Sequence, residues 1–291
     1  MASKYRGIFS LQFLVPNVAL LAAVAIGVES FYASVVRPRA EDILRERDLK
    51  IQAGAQPKDV ETRSLYTIIF HTEPEVEIIF CTWGLLYLGY MFYQITRERQ
   101  VLHRKFLQLE AGERIIPENA AEHFTEVKAL VDSDRRLHER LLPKCILAAL
   151  HRFNASGSIQ ESSTAVKECA ERVGDDLDSA LGLVRYIAWA IPAWGFVGTV
   201  RGIGAGLNFA EQAIKGDLSP VTRNLGLAFN STLVGLSLCI LLMYVIHMVQ
   251  STLETLISQV LSYCDENVID VMRVPASAEK HRQPWEVAKE A

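Results

Sequence analysis

Charge is almost missing from four long stretches of this 291-residue chain. Gly7–Val28, Ile78–Thr96, Tyr186–Ala210 and Asn224–Leu253 together make 96 residues with one formal charge, Arg201, whereas the other 195 residues hold 63 of the 64 charged side chains. The overall figures, 22% charged residues and a mean hydropathy of +0.15, conceal this segregation. A core helix of a water-soluble protein seldom runs past about 14 apolar residues, while a bilayer crossing needs about 20. An ordinary soluble enzyme is thereby excluded. The expected fold is an all-α membrane protein with four transmembrane helices and long helical extensions into the cytoplasm.

Cysteine is scarce and scattered: Cys81, Cys145, Cys169, Cys239 and Cys264, with no Cys-x-x-Cys pair. This is neither a disulfide framework nor a zinc site, so the cysteines read as small packing residues, and no metal or cofactor is expected. Long blocks of Lys and Arg are also lacking and the net charge is −4. Nucleic acid is therefore not an expected partner. Carboxylates are absent from the centre of every span. A self-contained proton pump needs its own relay, so the titrating group is expected on another chain.

The order of segments follows from these runs. Residues 1–36 hold the N-terminus and the first span, read as retained because its apolar run is longer than that of a signal peptide. Residues 37–75 form a polar, periplasmic connection, with a charged helix over Glu41–Lys50 and a break at Gly54–Pro57. The second span covers 76–96. Residues 97–183 form a cytoplasmic helical domain punctuated by Pro117, Pro143 and a loop at Asn154–Ser158. Ser158 and Glu161 spell a capping box, after which Val166, Ala170, Val173, Leu177, Leu181 and Val184 repeat every three or four residues. That stripe runs without a stop into the third span, 184–211. Residues 212–222 make a short periplasmic hairpin, and Ser219-Pro220 reads as an N-cap with proline at the first helical position. The fourth span covers 223–250 and continues as a cytoplasmic helix over 251–273 along Leu253, Leu256, Val260, Cys264 and Val268. From Pro220 to Met272 the pattern amounts to about 80 Å of helix, far more than the ~30 Å hydrocarbon core. Its far end needs something to pack against. Residues 274–291 read as a disordered tail. Basic residues flank the exits of both the first span (Arg37, Arg39, Arg45, Arg47) and the second (Arg97, Arg99, Arg104, Lys105), so the count alone does not fix orientation.

The segment Ile191-Pro-Ala-Trp-Gly195-Phe-Val-Gly198-Thr199-Val-Arg201-Gly202-Ile-Gly204 and, on the next span, Leu225-Gly-Leu-Ala228-Phe-Asn230-Ser231-Thr232-Leu-Val-Gly235-Leu236 resemble the signatures of the MotA/TolQ/ExbB proton-channel family. The resemblance covers about Leu177–Met272, and upstream only the four-span layout is shared. It implies an ion-channel and rotor subunit of a motor driven by proton or sodium motive force, not an enzyme. It implies a homopentamer in the bacterial inner membrane, with both termini cytoplasmic. The pentamer would surround a dimer of a single-span subunit similar to MotB, TolR or ExbD, whose membrane aspartate carries the H+ (or Na+). Two other classes compete. One is a membrane scaffold or signalling protein working through its cytoplasmic helices. The other is a stand-alone solute transporter, which should show internal repeats and broken helices; neither is visible.

The same residues have a physical reading. Gly195, Gly198, Gly202 and Gly206 share one helix face and, with Pro192 and Gly235, read as close-packing positions. Gly202–Gly206 lacks the strand and third glycine of a dinucleotide loop, and the Asn230-Ser231-Thr232 sequon lies inside a span. Thr199 is about 21 Å above the inner start of span three, and Thr232 about 15 Å below the outer start of span four. Their hydroxyls therefore meet at nearly one depth, and with Ser231 and Asn230 they are the expected ion-path, partner-facing group. Arg201 is turned about 200° from Thr199 and either pairs with Glu29 or, like Glu29, reaches separately for the outer headgroups. Glu73, Glu75, Glu77 and Glu211 are expected to form a solvated rim.

Overall fold

The computed structural model describes residues 11–53, 64–107, 113–134, 137–138 and 140–274. The Gly54–Pro57 break and the expected tail from Pro275 onward lie outside them. The helices are α1 Leu11–Phe31, α2 Arg37–Gln52, α3 Leu65–Ile69, α4 Thr72–Arg99, α5 Ala120–Ser133, α6 Leu141–Ser156, α7 Ile159–Leu207, α8 Ala210–Ile214 and α9 Ser219–Cys264. Among the described residues there is no strand, only one isolated parallel bridge, Ile115 to Met272. Four helical runs are long and apolar enough to cross a membrane: Val15–Lys50, Thr72–His103, Ile159–Leu207 and Ser219–Ile269. The all-α membrane class is thus borne out.

The described residues fall into two units, Met1–Tyr90 with Ser179–Met248, and Met91–Asp178 with Val249–Ala291. In the first unit, α1 passes into α2 through a π-helical turn, Tyr32–Val36. The charged helix expected over Glu41–Lys50 is therefore a direct continuation of the first span and not a separate element. Pro38 offers no N–H to an α-helical ladder, and the widened turn immediately before it is where the ladder rearranges. Tyr32, Val36, Leu88, Leu181, Val184, Ile191 and Leu242 form a narrow core. Outside it, most apolar side chains remain uncovered: Ile26, Trp189, Phe196, Leu207, Phe229, Ile240 and Tyr244 are each more than 60% exposed. In water such a surface costs about 25 cal/mol per Å². Lipid or further protein is its natural environment.

The second unit buries its apolar stripes. Val166, Ala170 and Leu177 of α7 and Leu253, Leu256, Val260 and Cys264 of α9 are covered, together with Val127 and Val131 of α5 and Leu142, Ile146, Leu150 and Phe153 of α6. The far end of α9 does find something to pack against. A second π-helical turn, Asp265–Ile269, closes it, and the chain then pairs with Ile115, whose N–H donates to Val271 O at 3.0 Å. Three local expectations need adjusting. The capping box is half made: Ser158 Oγ accepts from Glu161 N–H at 3.3 Å, but the Ser158 N–H goes to Ser156 Oγ. The loop at Asn154–Ser158 shrinks to its end, because α6 runs to Ser156 and stops at Gly157, which is left-handed (φ 63°) as a helix C-terminus favours. In the first unit, the side chain capping α9 is Asp217, whose Oδ1 accepts from Ser219 N–H at 3.1 Å.

The N-terminus of α6 is capped from another helix. Glu98 accepts from Leu141 N–H at 3.1 Å and from Arg140 Nη1 at 3.0 Å. Glu98→Ala removes the acceptor of an N-terminal amide and is expected to destabilise this unit by about 1–2 kcal/mol. Amide hydrogen exchange over Leu141–Cys145 should accelerate accordingly. Next to this cap, Cys145 is fully buried; its contact with Cys169, followed by burial, pushes its thiol well above the usual range. That suits a packing role.

Candidate functional site

The glycine face of α7 lies against α9, and the site follows from how close the two backbones come. A β-carbon added at Gly202 would meet Ala228 Cβ at 2.7 Å, and one at Gly195 would meet Ser231 O at 3.2 Å and Thr232 Cα at 3.3 Å. At Gly198 it would collide with Ser231 Oγ. Real side chains do not tolerate the approaches at Gly198 and Gly202, so these two are required as glycine, whereas at Gly195 the backbone of α9 would have to give by a few tenths of an ångström. Gly206 is different, with its nearest neighbour at 3.5 Å, an ordinary contact that alanine would make. Gly235 closes the same seam from α9, 3.3 Å from Ile191 O by the same measure. Pro192 is half-buried inside α7 and does not end it.

Close approach brings the two threonines together. The hydroxyls of Thr199 and Thr232 are hydrogen-bonded to each other, and both reach Gly195 O at 3.2 Å. Thr199 Oγ1 is also 3.1 Å from Ala228 O. Each hydroxyl has one proton and two lone pairs, so this knot of two hydroxyls and two carbonyls offers more acceptors than donors. It is half-buried. Ser231 is buried, its Oγ without a hydrogen-bond partner, while Asn230 is half-buried beside it in sequence. The two hydroxyls, placed near one level by the helix register, are thus in direct contact. The common habit of a membrane threonine, bonding the carbonyl one turn back, is also satisfied at Thr199.

The carboxylates depart from expectation. Arg201 does not pair with Glu29: it binds Glu73. Glu29 is held instead by Arg37, Nη1 to Oε1 at 2.8 Å and Nη2 to Oε2 at 3.2 Å, and the same guanidinium reaches Glu75 at 3.0 Å. The reason is the α1–α2 continuation. It brings Arg37 two turns from Glu29 on one rod, a nearer partner than any on α7. The solvated rim is also overturned in part. Glu73, Glu75 and Glu77 are 9%, 5% and 0% exposed, and only Glu211 remains open. Glu77 is the residue that sequence reading missed. Its Oε1 lies 2.7 Å from a β-carbon position at Gly195 and 3.0 Å from one at Gly235. A signal existed: the buried face of α4 runs Cys81, Gly84, Leu88, and one turn back along it is Glu77.

Residues 137–261, somewhat under half of the chain, match the model of the MotA/TolQ/ExbB proton channel family. The matched stretch contains both motifs and every residue of the threonine–glycine seam, so the resemblance read from the sequence is borne out there. It is a family of channels, not of enzymes. No curated protein and no solved structure matches the chain.

Proposed function

We propose that this chain is the ion-channel and rotor subunit of an inner-membrane motor driven by proton or sodium motive force. Five copies surround a dimer of a single-span partner whose membrane aspartate carries the ion, and Thr199 and Thr232, with Ser231 and Asn230 beside them, face that aspartate. The observation behind this reading is the hydroxyl–hydroxyl contact between α7 and α9 within the family-matched stretch. A pair of hydroxyls with spare acceptor capacity can bond a protonated carboxyl, water or a small cation at a fixed depth. The energy available to such a motor is about 2.3 kcal/mol per charge per 100 mV. A closed ring is the ordinary outcome of a repeated heterologous contact, and the uncovered apolar surfaces of the four spans leave room for both neighbouring copies and lipid. Both termini lie on the cytoplasmic side, and the α7–α9 connection through α8 faces the periplasm.

Purification from the native membrane followed by mass measurement tests this directly. The expected result is a pentamer carrying two copies of a small single-span protein with an aspartate in its span. Recovery of a lone chain without ion flux in proteoliposomes would favour the scaffold reading.

A further inference from the structure

Four glutamates cluster around α4 in the first unit, and three have a cation. Glu73 is bound by Arg201, and Glu29 and Glu75 by Arg37. Glu77 has none. It is fully buried, and neither of its oxygens has a hydrogen-bond partner. A buried carboxylate held with neither cation nor hydrogen-bond donor from the protein costs several kcal/mol. A proton on either oxygen removes that charge.

The surroundings admit this carboxyl by omission of side chains. Gly195 of α7 and Gly235 of α9 form two walls, close enough that a methyl group on either would touch it. Gly195 also connects it to the threonines: its carbonyl is the acceptor shared by Thr199 and Thr232, while the place of its missing side chain is filled by Glu77 Oε1. One turn along α7, beside Gly198, lies Ser231 Oγ, another buried polar atom without a partner. The other titratable and charged groups nearby are few. On its own helix Glu73 is occupied by Arg201 of α7 and Glu75 by Arg37 of α2. From the start of the π-helical turn, the Tyr32 hydroxyl donates to Ile69 O. His71, immediately before α4, has its Nε2 buried without a hydrogen-bond partner, and α9 brings Ser231 and Thr232 against Gly195 and Gly198.

We propose that Glu77 is a proton-binding site of this chain's own, set beside the Thr199–Thr232 pair and taking up and releasing a proton during transport. The expectation that this chain has no titrating carboxyl among its spans is thereby revised: the ion path has one on the partner and one here. The transport half of this statement rests on the motor reading above, and the protonation half does not.

The test uses the full chain, purified from its native membrane with whatever accompanies it. Infrared difference spectra across a pH titration should contain the carbonyl stretch of a protonated carboxylic acid that Glu77→Gln removes and Glu77→Asp shifts. Proton flux in proteoliposomes should fall about a hundredfold in Glu77→Gln, the lower end of what a positioned proton-transfer group contributes. Glu77→Asp should restore part of it. Glutamine has nearly the shape of glutamate, so assembly should survive. If Glu77→Gln leaves either the band or the flux unchanged, the proposal is overturned. If the wild type carries no protons at all, the motor reading fails on its own account, and the band alone decides Glu77.

Discussion

Replacing Thr232 by valine is expected to cut ion flux by between about ten- and a hundredfold while leaving the chain folded and assembled. The two halves of this expectation have separate grounds. Valine keeps the volume and branching of threonine, so the seam against Gly195 still fits. Thr199 loses its hydroxyl partner but keeps the carbonyls of Gly195 and Ala228 at 3.2 and 3.1 Å as acceptors for its single proton. The structural loss is that of one hydrogen bond between membrane helices, on average about 0.6 kcal/mol. An ion or a protonated carboxyl passing the site faces more. It meets a methyl group where a lone pair had been, and an unmet polar group at a dry position costs about 1–3 kcal/mol, the kinetic equivalent of about ten- to a hundredfold. Thr199→Val should act in the same direction, and the double variant should lose little beyond the worse single, since the two hydroxyls work as one unit. Flux in proteoliposomes alongside native mass of the complex reads both halves. Wild-type flux in the double variant would reduce the pair to an adhesive between helices.

What was legible in the sequence was whatever depends on pattern along one helix. The four spans, the uninterrupted run from Ser158 into the third span, and the covered stripe of α9 beyond Val249 all follow from three- and four-residue repeats of apolar side chains. The meeting of Thr199 and Thr232 was legible as well, because two antiparallel helices joined by a short turn have only one adjustable register. What escaped depends on which helices are neighbours. Glu77 looked like a rim residue because it precedes the apolar run Ile78–Thr96, and nothing in that order says that glycines on α7 and α9 leave room for it. Arg201 looked available to Glu29 on depth alone. The π-helical continuation that gives Glu29 a nearer cation, Arg37, has no signature in composition. The wide exposure of Trp189, Phe196 and Ile240 belongs to the same class of fact: sequence marks them apolar, and only packing shows them uncovered within one chain.

The other large effect is expected at Gly198. Membrane helices gain little from hydrophobic association, because lipid tails are as apolar as leucine. Their adhesion depends on close backbone approach, and Gly198 sits where that approach is tightest. A β-carbon there would overlap Ser231 Oγ and lie 2.8 Å from Glu73 Cγ and 3.0 Å from Ser231 Cβ. Glu73 cannot swing aside freely, since it is bound by Arg201. Gly198→Ala is therefore expected to destabilise the α7–α9 hairpin by about 1–3 kcal/mol, the usual cost of overpacking. Gly198→Leu should separate the two helices altogether and abolish assembly. Gly204, turned off the glycine face by about 240° from Gly198, has open space around it, and Gly204→Ala should be neutral or slightly stabilising through its higher helix propensity. Thermal unfolding in a mild detergent distinguishes the positions. The collision also predicts its own rescue. Ser231→Ala removes the oxygen that blocks the new methyl group but leaves Ser231 Cβ in place, so Gly198→Ala with Ser231→Ala should recover part of the loss, about 1 kcal/mol, as a coupling between contacting residues. Full additivity of the two substitutions would mean that the seam can relax around Gly198, and that the crowding there does not set the distance between α7 and α9.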